Sequence, residues 1–215
     1  MVMKEFCDKL SAALAVAIDN KGSYNEYFSA SVLVPLVWDN GEIAVLFEVR
    51  STQLSWQPGE ICFPGGRIEK NDKNPLFAAV RETQEELALS KDDIQVLGSL
   101  EEILSPIGVR LHPYVGYLSP KHLITPNEGE VAEVFTVPLE YLINYDPMIG
   151  HMEMGTRPLE DFPFALVPGY SQEWRVRKKY QVLFYKYKEH VIWGLTAQVL
   201  KRFLDVCKKI GSEEK

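Results

Sequence analysis

Residues 63–89 read FPGGRIEKNDKNPLFAAVRETQEELAL. The stretch opens on Gly65-Gly66, crosses a polar loop and becomes a helical pattern that carries Arg81, Glu82, Glu85 and Glu86. Asn74 suits a helix N-cap, and Pro75 suits the first helical position, where its missing N–H costs nothing. A helix is therefore expected to start here. Turned at about 100° per residue, it puts Leu76, Val80, Thr83 and Leu87 on one core-facing stripe. Glu82, Glu85 and Glu86 gather on an adjoining flank.

That flank opposes local helix physics. Like charges three and four residues apart repel by a few tenths of a kcal/mol per pair, and acids in the last turns oppose the macrodipole by roughly 0.3–1 kcal/mol each. One reading is a solvated acidic face with Arg81 as partial counter-ion. The other is a carboxylate cluster neutralised by divalent cations, since hard oxygen ligands suit Mg²⁺ or Mn²⁺. The Gly-Gly turn favours the second, because glycines let the backbone approach a ligand closely and offer it a carbonyl. Cations held this way polarise a phosphoryl oxygen and activate water.

The stretch resembles the Nudix box, G-x(5)-E-x(7)-R-E-U-x-E-E-x-G-U with U aliphatic. Gly66 matches the leading glycine, Asp72 the first acid, Arg81-Glu82 the R-E pair, Glu85-Glu86 the E-E pair and Leu89 the last aliphatic residue. Asp72 lies one residue further from Arg81 than the general box allows, Thr83 replaces an aliphatic residue, and Ala88 stands where glycine is expected. Losing that glycine bears on the shape of the helix C-terminus more than on the chemistry.

The similarity extends from about Leu33 to Phe203. Arg50-Ser51, Leu54, Pro58-Gly59-Glu60 and Phe63-Pro64-Gly65-Gly66 resemble the extra signature of the coenzyme A diphosphatase branch, roughly L-L-T-x-R-S followed by G-x(3)-F-P-G-G. SPIGVRLHPYVGYL (Ser105 to Leu118) and VIWGLTAQVL (Val191 to Leu200) look like later segments of that branch. The resemblance implies an α+β fold, the Nudix α/β/α sandwich with a mixed sheet between helices. It also implies a diphosphate hydrolase dependent on Mg²⁺ or Mn²⁺, cutting coenzyme A or a derivative to 3′,5′-ADP and 4′-phosphopantetheine.

On that resemblance, Gly65 (by its carbonyl), Glu82, Glu85 and Glu86 hold the metal, and Glu82 also orients or deprotonates the water. Arg81 braces the acids. Glu130, in the pattern Asn127 to Val131, is the loop carboxylate expected to act as base or further ligand, with Glu128 and Glu133 behind it. Arg50, Ser51, Gly65, Gly66 and Arg67 are the expected substrate contacts. Two rivals stand beside this: the same chemistry on ADP-ribose, a dinucleotide or a nucleoside triphosphate, and a catalytically silent module that senses a nucleotide. A pure binder gains nothing from three crowded carboxylates.

Length and a 46% apolar, 25% charged composition fit one domain with a substantial core, taken here as residues 1–215. A formal net charge of −7 argues against general nucleic-acid binding, and positive charge for an anionic substrate must be supplied locally. Cys7, Cys62 and Cys207 are scattered and odd in number, which suits a reducing cytoplasm and gives neither a disulfide framework nor a zinc pattern. Cys62 reads as a buried small hydrophobe. Phe6, Leu10, Leu14 and Ile18 recur at helical spacing, so residues 3–19 read as an amphipathic helix rather than a signal peptide. No apolar run approaches the roughly twenty residues of a membrane span. A homodimer is left open.

Along the chain, Ala30 to Val37 and Glu42 to Arg50 read as strands joined at Asn40-Gly41, a strong hairpin signal. Ile94 to Leu104 and Val109 to Leu118 read as two more. A strand at Val131 to Val137 precedes a short helix from Pro138. Asn144 to Tyr170 reads as short strands and loops over one side of the site. Alternation puts Arg175, Arg177 and Lys179 on one strand face, solvated or touching a substrate phosphate. Gln181 to Tyr187 is the next strand, and residues 191–208 read as the last helix.

Overall fold

The computed structural model describes residues 28–119 and 124–213. The helix expected over residues 3–19, with Cys7, lies outside them. The first pairing follows from Asn40-Gly41: both take positive φ, 49° and 87°, and fold β1 (Phe28–Asp39) back on β2 (Glu42–Arg50). Positive φ at both turn residues matches the right-handed twist of the strands they join.

Strand β1 is the hub. One edge pairs with β2 and with β4 (Gly65–Arg67), both antiparallel, and the other pairs with β7 (Val109–Leu118), which runs parallel. The short β3 (Ile61–Cys62) and then β8 (Val131–Pro138) add to β2. The expected strand Ile94 to Leu104 is broken into β5 (Ile94–Ser99) and β6 (Ile103–Leu104), both on β7, with a register shift between Val96 and Gly98. The main sheet is therefore mixed, as the resemblance implies.

Period-two alternation sorts β1 and β2 into two cores. Leu33 and Val37 of β1, with Ala44 and Leu46 of β2, face α1 (Pro75–Leu87) and meet Leu87 and Leu89. Val34, Val45 and Phe47 face the opposite core, with α2 (Leu139–Asn144) and α3 (Gly194–Glu213). Full burial of a leucine or phenylalanine stabilises by about 1.5–3 kcal/mol, so these residues fix which side each helix covers.

Helix α1 starts as expected: the Asn74 side chain accepts from the Phe77 amide at 2.8 Å and Pro75 follows it. Its buried face is rotated from the expected stripe. Ala78, Ala79, Thr83, Glu86 and Leu87 are buried, while Leu76 and Val80 are only half-buried. Small alanines let the helix sit close on β1 and β4, which carries the glutamate flank inwards. Buried Thr83 satisfies its hydroxyl by donating to the Ala79 carbonyl at 2.7 Å. Ala88 ends the helix in the left-handed region, φ 52° and ψ 44°, the conformation for which glycine is favoured.

Beyond β8 the expectations need two corrections. Asn144 to Tyr170 contains a nine-residue strand, β9 (Met148–Thr156), in a second sheet with β10 (Arg175–Tyr187) and β11 (His190–Trp193). The last helix starts at Gly194, not Val191, because Val191, Ile192 and Trp193 pair with Lys186, Tyr185 and Phe184. Gly194, at φ 65°, separates strand from helix. Ile192, Val199, Leu200, Phe203 and Leu204 share the core of Val34 and Phe47, so the second sheet and α3 pack into the same body.

Candidate active site

Strand β2 brings in an acid the sequence reading did not single out. The alternation that turns Ala44 and Leu46 towards α1 turns Glu48 the same way. Glu48 is 1% exposed, its strand is paired on both edges at Cys62 and Val134, and neither carboxylate oxygen has a hydrogen-bond donor. It meets the carboxyl of Glu86, on the last turn of α1 and 5% exposed. Burial pushes Glu48 well above the usual carboxylate range, and the charges of Glu86 and Glu130 add to this.

Glu86 accepts from the Gly65 amide at 2.8 Å. Burial, reinforced by the charges of Glu82 and Glu130, pushes its carboxyl up to about 8 against the pull of that N–H and of Arg50. The glycine turn could be built of no other residue at Gly65: its φ is +149°, and a Cβ would collide with the Ser31 carbonyl and Val32. At Gly66 a Cβ would meet Glu82 Oε1 at 2.5 Å, so this glycine clears the space that the Glu82 carboxylate fills.

Arg81 organises the outer acids. Its Nε and Nη2 each lie 3.1 Å from Asp72, Nη2 lies 2.9 Å from Glu82 and Nη1 lies 3.0 Å from Glu85. The extra residue between Asp72 and Arg81 is absorbed in a turn where Asp72 also accepts from the Glu69 amide at 2.7 Å. The Arg81 hydrogen bonds hold Asp72 below the ordinary carboxylate range. Burial raises Glu82 while Arg81 pulls it down.

The loop carrying Glu130 is fastened at both ends. The Asn127 amide donates to the Glu86 carbonyl at 2.8 Å, which satisfies an orphan carbonyl at the C-terminus of α1. The Asn127 carbonyl accepts from the amides of Glu130 and Val131, and the Ser51 amide donates to the Glu130 carbonyl at 2.8 Å. Exposed Glu130 thus stands near enough for its charge to act on Glu48, Glu82 and Glu86.

The expected site residues fall into two groups. Arg81, Glu82, Glu85, Glu86, Gly65, Gly66 and Glu130 come together. Arg50 stands beside them but donates from Nε and Nη2 to the Trp56 carbonyl, both at 3.3 Å, and so props the loop after β2. Ser51 is buried, its amide anchoring Glu130 and its hydroxyl accepting from the Gln53 amide. The Arg67 guanidinium lies 5.1 Å from the Phe28 ring centre, turned from the carboxylates, and only its carbonyl reaches Arg81.

A register shift between Val176 and Lys178 makes Arg177 the bulged residue and interrupts the expected alternation. Arg175 stacks on Tyr170 and Arg177 donates to the Tyr170 hydroxyl and to Thr156, while Lys179, beyond the shift, pairs with Glu153. These are local partners.

As they stand, no three His, Cys, Asp or Glu side chains among the described residues converge as a cation cage, because Glu82 and Glu85 turn to Arg81 and Glu86 to the Gly65 amide. The donor set nevertheless suits a hard divalent cation. It is all oxygen, and a buried carboxylate without a partner, such as Glu48, is costly until something positive meets it. Burial, with the charges of Glu48 and Glu86 added, pushes the Cys62 thiol up, so it stays protonated and offers no soft thiolate ligand. The signal for Glu48 was one charge inside the apolar run from Ala44 to Val49.

Comparison with known proteins agrees. The sequence model of the NUDIX domain matches residues 28–153. The peroxisomal coenzyme A diphosphatase NUDT7 of Mus musculus is 37% identical over 132 residues, 61% of this chain and 55% of its own length. The mitochondrial coenzyme A diphosphatase NUDT8 of Homo sapiens is 32% identical over 176 residues, 80% of this chain and 66% of its own. The uncharacterized Nudix hydrolase NudL of Pectobacterium atrosepticum is 33% identical over 172 residues, 80% of this chain and 78% of its own. The matched segment thus spans little more than half of NUDT7 and about two thirds of NUDT8. Since the matched domain takes in the glycine turn and the acidic helix and covers more than half of the sequence, the chain belongs to the Nudix hydrolase family.

Proposed function

We propose that the protein is a Mg²⁺- or Mn²⁺-dependent diphosphate hydrolase whose substrate is coenzyme A or a derivative, cut to 3′,5′-ADP and 4′-phosphopantetheine. The observation that carries the hydrolase reading is the crowding of Glu82, Glu85 and Glu86 beside the glycine turn, with Arg81 alone among the described residues paired to the outer two. The coenzyme A reading is supported by the signature around Arg50 and Phe63 and by the names of the two diphosphatases it resembles.

Glu82, Glu85 and Glu86 would hold the cation, with the Gly65 carbonyl as a further donor. A bound divalent ion would supply charge neutralisation at the bridging diphosphate and a water of lowered pKa. The residues do the rest. Arg81 keeps Asp72, Glu82 and Glu85 in register, and the Gly65 amide fixes the rotamer of Glu86. Glu130 takes the proton as the water oxygen bonds to phosphorus and the bridging P–O bond breaks. It is free for this because it stays open to solvent, whereas Glu82 is committed to Arg81.

The test is a panel of coenzyme A, ADP-ribose, a dinucleotide and a nucleoside triphosphate with Mg²⁺ and Mn²⁺, read by product mass. Coenzyme A should give the two named products fastest. Faster cleavage of ADP-ribose would overturn the substrate, and tight binding with no product in either metal would overturn the enzyme.

A further inference from the structure

We propose that Glu48 is a further carboxylate ligand for the divalent cation, reaching it from the sheet while Glu86 reaches it from the helix. The inference rests on the reading of α1 as a cation site. It comes from a different element and a different observation: a buried side chain without a donor, aimed at the acids of α1.

The position leaves Glu48 little choice. Its backbone pairs with Cys62 on one side and Val134 on the other, so it sits on an interior strand and cannot swing to an edge. Alternation along β2 fixes its side chain on the α1 face, where Leu46 packs one step earlier. The charge of Arg50 eases Glu48, but its Nε and Nη2 donate to the Trp56 carbonyl and neither Glu48 oxygen receives a hydrogen bond from it. The group that Glu48 does meet is Glu86, another carboxyl. Two facing carboxyls are satisfied either by a shared proton or by a cation between them, and the latter also serves Glu82 and Glu130, whose charges act on the same place.

Threonine is a smaller, uncharged replacement compatible with a strand at this position.

The experiment titrates Mn²⁺ into the substrate-free protein, following free Mn²⁺ by electron paramagnetic resonance and the thermal midpoint in parallel. It compares wild type, Glu48→Gln, Glu48→Thr and Glu86→Gln. Both Glu48 variants should bind Mn²⁺ at least about tenfold more weakly, with metal-free midpoints close to or above wild type because a buried ionisable group without a donor is gone. Mn²⁺ affinity within twofold of wild type in either folded Glu48 variant, with Glu86→Gln weakened, would overturn the proposal and leave the cation site standing. No Mn²⁺ binding by wild type would overturn both.

Discussion

Replacing Glu86 by glutamine separates the acid's charge from its shape. The amide oxygen still accepts the Gly65 N–H now 2.8 Å from Glu86, so the turn and the helix end keep their geometry. What disappears is a carboxyl held at about 8 instead of 4.5. A raised carboxyl contributes stability that is complete below its unfolded value and is lost as pH rises through its folded one. Each pH unit in that interval is worth about 1.4 kcal/mol, tapering near the upper end. Going from about pH 6 to about pH 8.5 should therefore strip about 2–3 kcal/mol from the metal-free wild type through this one group. In a chain of this size that is a fall of about 5–10 °C in the midpoint. The variant should lose most of the slope, keeping the part due to Glu48, which stays raised by burial. Thermal melts of both proteins in chelator at the two pH values read the difference. In the same variant, turnover with Mg²⁺ or Mn²⁺ should drop by about a hundredfold or more. Identical pH slopes in the two proteins would refute the account of Glu86 as an acid that is costly to ionise, and near-normal turnover at saturating Mg²⁺ would refute its role as ligand.

Three other changes probe the frame around the acids. Ala88→Gly relieves an exposed left-handed residue and should raise stability by about 0.5–1 kcal/mol, seen as a midpoint higher by about 1–4 °C with turnover unchanged. Gly65→Ala sets a Cβ against the Ser31 carbonyl at positive φ and should leave little folded protein. For Gly66→Ala the nearest atoms all belong to the movable Glu82 carboxylate, so it should fold within about 1 kcal/mol of wild type while turnover falls about tenfold or more. Circular dichroism melts and turnover assays separate the two glycines, and a well-folded, active Gly65→Ala protein would contradict the reading of that turn.

The parts of the fold legible in the sequence are those decided by neighbours along the chain. Asn74-Pro75 announces a helix and Asn40-Gly41 a hairpin, because a cap or a two-residue turn needs nothing distant. Where a partner decides, the sequence is silent. Val191 to Trp193 continues smoothly into a helical pattern, and only its pairing with Phe184 to Lys186 makes it a strand. Arg177 alternates correctly with its neighbours until the register against β9 slips by one. On α1, Thr83 and Leu87 of the expected stripe are buried, and the other half shifts for the same reason. Leu76 and Val80 are more apolar than Ala78 and Ala79, but β1 and β4 approach so closely that the small side chains face them.

The site shows the same division and gives it a physical meaning. Glu82, Glu85 and Glu86 stand out in sequence because each breaks a local rule, and α1 has no basic residue in its last turn to soften the offence. Arg81, one turn upstream, compensates Glu82 and Glu85 but not Glu86. Glu48 breaks a rule of another kind, visible only once β2 is known to be an interior strand and Glu86 is known to lie over it. Neither buried carboxyl has a full charge of opposite sign paired with it among the described residues. Protonation satisfies the pair at low pH, at the expense of any affinity for a cation. Rising pH removes the proton that burial holds on Glu86, and on the proposed reading a divalent ion then takes its place beside Glu48. On that reading proton and divalent ion are rivals for one position, and the burial that makes the metal-free protein less stable in alkali is also what would make the pair a receptor for the metal.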